Sequence, residues 1–191
     1  MSVKIILGSQ SSNRKAVLEK AGYEFEVISA DIDEKAIRLE DPLDLTLAIA
    51  NAKADVLLPK IVDTSAILIT ADTVIVCDNQ VLEKPVDEEE ARKFFEKYAV
   101  YPIQVITAVT VTNTETRQRK TAVDVVEIKF KPFSGDEVDL LIKENRVLNF
   151  AGGFTVLDPL VKEHIALIRG EEDSSAGLPM RIVEDFIKCL T

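Results

Sequence analysis

A mixed α/β fold, one twisted sheet flanked by helices, is what the sequence predicts, and three observations carry that prediction. Apolar, β-branched runs alternate with helix-patterned segments along the chain. A two-residue turn, Asp78-Asn79, joins two of the apolar runs and inserts a hairpin into the alternation. The 191 residues, 47% of them hydrophobic, can bury one good core, so a single domain is expected.

The elements follow from periodicity and punctuation. Val3 to Leu7 is a strand that empties through Gly8 into Ser9-Gln10-Ser11-Ser12-Asn13-Arg14-Lys15. A helix runs from about Ser12 to Ala21 and ends at Gly22, the residue type that tolerates a left-handed helix terminus. Tyr23 to Ile28 reads as a second strand, and Ser29 to Glu40 as a polar loop. Asp41-Pro42 pairs a helix-capping side chain with a residue suited to the first helical position, and the leucine- and alanine-rich Leu43 to Leu58 continues the helix to Pro59. Ala66 to Val76 has the nearly unbroken apolarity of a strand buried on both faces, and Gln80 to Leu82 returns from the Asp78-Asn79 turn. Asp87-Glu88-Glu89-Glu90 opens a helix with acids where the helix dipole favours them; it ends near Val100. Ile103 to Thr112 and Thr121 to Lys131 read as a long antiparallel pair. Ser134-Gly135-Asp136-Glu137 has capping-box spacing and starts a helix to about Asn145. Leu160 to Ile168 is read as a strand, and a last helix starts near Leu178-Pro179 and reaches Leu190.

Charge and cysteine content exclude several classes. A net charge of −10 argues against a protein that tracks a nucleic-acid backbone, which would need a basic face. A free nucleotide stays within reach, because local cations and a metal ion act at short range. Cys77 and Cys189 are isolated, so neither a disulfide framework nor a zinc site is expected. No apolar run approaches the ~20 residues of a membrane span, and the start of the chain has no secretory pattern. A cytoplasmic protein without membrane or nucleic-acid partners is the expectation.

The residues that carry chemistry cluster in a few places. Small hydroxyl side chains and backbone N–H groups where a strand enters a helix, with Arg14 and Lys15 on its first turn, suit an anionic phosphate group. Serine ahead of a helix is also an ordinary cap, so the loop by itself is weak evidence. Asp31, Asp33 and Glu34 follow the second strand and are of the type that binds a hard cation such as Mg²⁺ together with phosphate oxygens. Asp72 is more telling. It interrupts an apolar strand between Ile69 and Val74, and a carboxylate buried there needs a counter-charge, a metal or a proton. Lys53 lies on the helix that begins at Pro42, and Glu83-Lys84-Pro85 closes the hairpin's return strand; a solvated helix face and a surface ion pair are the plainer readings of these. His164, the one histidine, is read as structural. No G-x-x-x-x-G-K-[ST] occurs, and Gly8 opens no dinucleotide-binding glycine pattern.

In order and spacing, Ser9-x-Ser11-x-x-Arg14, Asp33-Glu34, Ala52-Lys53-Ala54, Ala71-Asp72-Thr73, Lys84-Pro85, Thr107-Ala108-Val109, Ala151-Gly152 and Gly177-Leu178-Pro179 resemble the Maf-like nucleoside triphosphate pyrophosphatases, from Ile5 to Pro179. The resemblance implies a two-lobed fold around a central cleft, similar to the inosine triphosphatases. It also implies hydrolysis of a nucleoside triphosphate to the monophosphate and pyrophosphate, dependent on Mg²⁺ or Mn²⁺. A housecleaning role on nucleotides goes with it, a link to division arrest in some members, and room for a homodimer. By the same resemblance Asp72 is the catalytic carboxylate and a metal ligand, with Glu34 the second metal ligand. Lys53 and Lys84 are then phosphate-side cations, and Ser9, Ser11 and Arg14 the phosphate-binding loop; Glu83 joins the same rim.

The departures concern the base. Bacterial members commonly carry Ser-Pro-Arg-Arg where this chain has Ser11-Ser12-Asn13-Arg14, and Leu157 falls near a glutamine associated with pyrimidine substrates. Thr73 matches the pyrimidine branch. A modest preference for dTTP, UTP and CTP is therefore expected. A nucleotide-binding regulator of division that works through a partner, without turnover, is the alternative.

Overall fold

The computed structural model describes residues 3–62 and 65–191. Its elements are β1 (Lys4–Leu7), α1 (Ser12–Lys20), β2 (Phe25–Val27), α2 (Pro42–Leu57), β3 (Ala66–Cys77), β4 (Gln80–Leu82), α3 (Glu88–Tyr98), β5 (Ile103–Asn113), β6 (Arg119–Phe130), α4 (Gly135–Lys143), α5 (Pro159–Glu163), β7 (Ile165–Arg169), α6 (Glu172–Ser175) and α7 (Met180–Leu190). The strands form a seven-stranded sheet in the order β2-β1-β3-β5-β6-β7, with β4 paired to β3. β1 runs parallel to β2 and β3, whereas β3–β4 and β6–β7 are antiparallel, so the sheet is mixed as the sequence predicts.

Local chemistry accounts for the boundaries. Asp41 caps α2 by accepting from the Leu43 and Asp44 N–H groups, with Pro42 at the first helical position. Ser134 and Glu137 make both bonds of the capping box that starts α4. The turn before β4 holds Asp78 and Asn79 at φ of 50° and 58°, the left-handed pair a tight hairpin requires. β2 is shorter than the expected Tyr23–Ile28, because the Tyr23 N–H is taken by the Leu18 carbonyl (3.1 Å) at the end of α1.

The expectation of a strand over Leu160–Ile168 is corrected. Asp158 accepts from the Leu160 and Val161 N–H groups, and Pro159 follows it. The segment therefore first turns as α5, and the strand begins only at Ile165. This is the same Asp-Pro device that starts α2, masked in the sequence by the apolar spacing of the residues after it.

The chain divides into two compact units. The first comprises Met1–Asp72, Thr107–Asp124 and Gly177–Thr191; the second comprises Thr73–Ile106 and Val125–Ala176. In the first, Ile6, Ala54, Leu57, Ala66 and Leu68 form a buried cluster against which Ile28 and Leu58 pack. Alanine at positions 50 and 54, both fully buried, lets α2 lie close to the sheet. The second is centred on aromatic rings, with Phe95, Tyr98, Phe130, Phe133 and Phe154 in edge-to-face or tilted contact. Among the described residues no helix is long and apolar enough to cross a membrane.

Candidate active site

The first unit assembles its polar centre where the parallel strands end. Leu7 pairs with Ile69, so β3, which runs on to Cys77, carries Asp72 three residues past the end of β1. The chain leaves β1 through Gly8, whose N–H donates to the Ile69 carbonyl at 2.7 Å. A Cβ there would stand 2.6 Å from both Leu57 Cδ1 and Thr70 Cγ2, so only glycine allows the loop to start this close to α2 and β3. Ser9 Oγ accepts from the Ser11 N–H (3.2 Å) and from Arg14 Nη1 (3.1 Å). Arg14 Nε donates to the Gly177 carbonyl (2.9 Å), which fixes the guanidinium from two sides. Ser11 makes no capping bond to α1, so the ordinary role considered for the loop serine is not taken. Asn13 lies half-buried in the first turn.

Burial lowers the Arg14 pKa, and Asp72 and Glu34 oppose that shift. A guanidinium so placed keeps its charge at any physiological pH. That opposition also puts Arg14 in the electrostatic reach of both carboxylates.

Lys53 and Asp72, 7% and 6% exposed, are buried, which for such groups requires partners. Thr70 Oγ1 donates to the Ala50 carbonyl (2.8 Å) and pins α2 to β3 a short distance away. Lys53 Nζ then reaches Asp72 Oδ1 at 2.9 Å, Glu34 Oε1 at 3.0 Å and the Ala71 carbonyl at 3.4 Å. Glu34 opens a single 3₁₀ turn, Glu34–Ala36, whose start is capped by Asp33 accepting from the Lys35 N–H (3.1 Å). Asp33 therefore has a structural task, and Asp31 is exposed.

The donor set fits a hard divalent cation in one particular way. Two carboxylates converge, and among the described residues no group of three or more acidic, histidine or cysteine side chains could hold an ion alone. Two protein carboxylates completed by phosphate oxygens are the usual set for Mg²⁺.

The remaining sequence candidates belong to the second unit. Thr73 is half-buried. Glu83 and Lys84 are exposed beside β4, in a surface depression that Phe94 and Lys97 also line. The Glu83 carbonyl accepts from the Gly152 N–H (3.0 Å), and Tyr98 donates its hydroxyl hydrogen to the Gly152 carbonyl (2.5 Å), which holds the turn at Ala151–Gly153. Leu157 is 40% exposed, and its N–H donates to Thr155 Oγ1. His164 stacks on Phe133 with centroids 4.1 Å apart and pairs through Nε2 with Glu137 (3.0 Å), as a structural histidine would.

Sequence reasoning gave no role to one participant in the site. It is the Gly177 carbonyl, whose only trace in sequence is a glycine ahead of Leu178-Pro179, here at φ 89°. Outside the site, sequence reasoning likewise gave no role to Arg146, which forms a two-pronged pair with the buried Asp158 in the second unit.

Known proteins resemble this chain over nearly its whole length. The family model described as Maf-like protein matches residues 4–190. A Dictyostelium discoideum protein named 7-methyl-GTP pyrophosphatase is 39% identical over 193 residues, covering 96% of this chain and 95% of its own. A Bacillus velezensis protein named dTTP/UTP pyrophosphatase is 33% identical, covering 97% and 98%. A Vibrio vulnificus protein of the same name is 31% identical, covering 96% and 99%. The chain belongs to the Maf-like protein family.

Proposed function

We propose that this protein hydrolyses nucleoside triphosphates to the monophosphate and pyrophosphate, with a divalent ion, Mg²⁺ or Mn²⁺, held by Glu34 and Asp72. The observation that carries the reading is the meeting of these two carboxylates with Lys53 and Arg14, beside a glycine-serine loop at the end of a parallel strand. The names of the relatives, all pyrophosphatases of nucleotides, support the reaction class.

Each residue then has a task. Arg14, held by Ser9 and Gly177, presents a fixed fork of donors to phosphate oxygens. Ser9 accepts two bonds and keeps its own hydroxyl hydrogen to donate. Two cations facing two carboxylates leave the cluster without surplus positive charge, so an anionic triphosphate is accommodated only when further positive charge comes with it. When bound, a divalent ion supplies that charge, polarises a phosphoryl oxygen and lowers the pKa of water. Lys84, Glu83, Thr73, Asn13 and Leu157 are assigned to the same substrate on the family resemblance.

For the base, Thr73 and the dTTP/UTP relatives support a broad profile leaning to pyrimidines. The 39% identity to the Dictyostelium protein favours a second reading, in which 7-methyl-GTP is preferred. Asn13 can donate or accept where arginine only donates, and Leu157 offers no polar group, so discrimination should be shallow. The test is kcat/KM for UTP, CTP, dTTP, GTP and 7-methyl-GTP, with pyrophosphate and orthophosphate measured separately. We expect pyrophosphate release that stops in excess chelator, differences among bases below ~10³-fold, and a sharper profile for Asn13→Arg. Binding without turnover of any triphosphate would support a regulator instead. Orthophosphate alone would overturn the reaction class.

A further inference from the structure

We propose that Lys53 is a resident counter-cation that a divalent metal must displace from Glu34 and Asp72, so that metal loading and capture of the triphosphate are one coupled event. The inference rests on the metal reading above. It is carried by the donor count. An ammonium group has three N–H bonds and no acceptor. Around Lys53 Nζ three acceptors lie within 3.4 Å: Asp72 Oδ1 and the Ala71 carbonyl as hydrogen bonds, and Glu34 Oε1 as an ion pair at 3.0 Å. No N–H is left for a phosphate oxygen while both carboxylates are held.

The same two carboxylates are the seat for a hard cation, and two cations cannot use one pair of oxygens without strong repulsion. An ion entering there therefore competes with the ammonium group. The side chain can yield where the backbone cannot. α2 is tied to β3 by Thr70 and Ala50, whereas the lysine stem is flexible and the bond to Ala71 is long. Arg14 yields less readily than Lys53, because its Nε and Nη1 are anchored to Gly177 and Ser9. Once released, Lys53 needs new acceptors, and a triphosphate provides them. Metal and nucleotide each raise the affinity of the other by the same factor.

The test measures Mn²⁺ binding, by electron paramagnetic resonance and calorimetry, with and without a triphosphate analogue carrying a non-hydrolysable α,β-methylene bridge. In the wild-type protein the analogue should tighten Mn²⁺ binding about tenfold or more. Lys53→Met should bind Mn²⁺ without nucleotide about tenfold more tightly than wild type, with most of the nucleotide enhancement lost. Lys53→Gln, which keeps a polar head in the pocket, is the second variant, and the rise in its Tm on adding Mn²⁺ should exceed that of wild type. Variants that bind Mn²⁺ no more tightly than wild type, while the analogue still enhances uptake, would overturn the displacement and leave the metal reading standing. So would a wild-type protein whose Mn²⁺ affinity ignores the analogue. No Mn²⁺ uptake by any of these proteins, with or without the analogue, would overturn both.

Discussion

Asp72 and Asp158 are both buried carboxylates in ion pairs, one in each compact unit, and they are held in opposite ways. Asp158 takes the guanidinium of Arg146 and also the Leu160 and Val161 N–H groups of the helix it starts. Burial pushes its pKa up, and Arg146 with those backbone bonds outweighs that, leaving it below the ordinary carboxylate value. Asp72 instead faces a lysine that Glu34 claims as well. Backbone bonds cannot be exchanged without unmaking a helix, whereas a flexible side chain can let go. A carboxylate satisfied by its own helix is part of the scaffold; one satisfied by a shared, mobile cation is available to a ligand.

The largest effect that would break this contrast is on turnover. Asp72→Asn removes the charge but keeps an acceptor for Lys53, which also retains Glu34. We expect kcat to fall by roughly 10² or more, with Tm near the wild-type value. Unfolding of the variant, with normal kcat in the fraction that remains folded, would make Asp72 a scaffold residue after all.

Asp158→Asn should behave in the reverse sense. Losing the charge-assisted pair and weakening the cap should cost about 2 kcal/mol, or roughly 4–8 °C in Tm for a chain of this size, with kcat per folded molecule retained. Melting curves and active-site-normalised rates check this. A kinetic defect without a thermal one would erase the distinction.

The smallest effect sharpens the contrast through pH. Glu137 accepts from the Ser134 hydroxyl and backbone N–H and pairs with His164, and these bonds hold its pKa at about 2 against an ordinary 4.5. Because the folded value is the lower one, the stabilisation is fully present above pH 4.5 and is lost as pH falls toward 2. Glu137→Gln should flatten the acid side of the stability profile in that window. The carboxylate is half-buried and still reached by solvent, so the change should be modest. An unchanged acid transition would show the pairing to be idle.

What the sequence revealed depended on how local each cause is. Asp72 stood out because a charge in an apolar strand is visible without any tertiary knowledge. The caps at Asp41 and Ser134 were legible for the same reason, since their partners lie within a few residues. The cap at Asp158 uses identical chemistry, but the apolar alternation after Pro159 resembled a strand and prevailed. Lys53 could be given a phosphate-side role only through the family resemblance, its plainer reading being a solvated helix face. Its pairing with Asp72, 19 residues away, and with Glu34 in a separate loop arises from α2 packing on β3, which no local pattern encodes. The Arg14–Gly177 bond lay further still beyond local reading.

That last bond has a consequence for how the protein is made. Arg14 and Gly177 are separated by 163 residues, so a chain growing on the ribosome can complete the anchoring of its serine loop only after Gly177 has been made. At the usual ~5–20 residues per second, the serine loop exists for many seconds without its guanidinium anchored to that carbonyl. Until then the guanidinium has the Ser9 hydroxyl but not the Gly177 carbonyl to fix it.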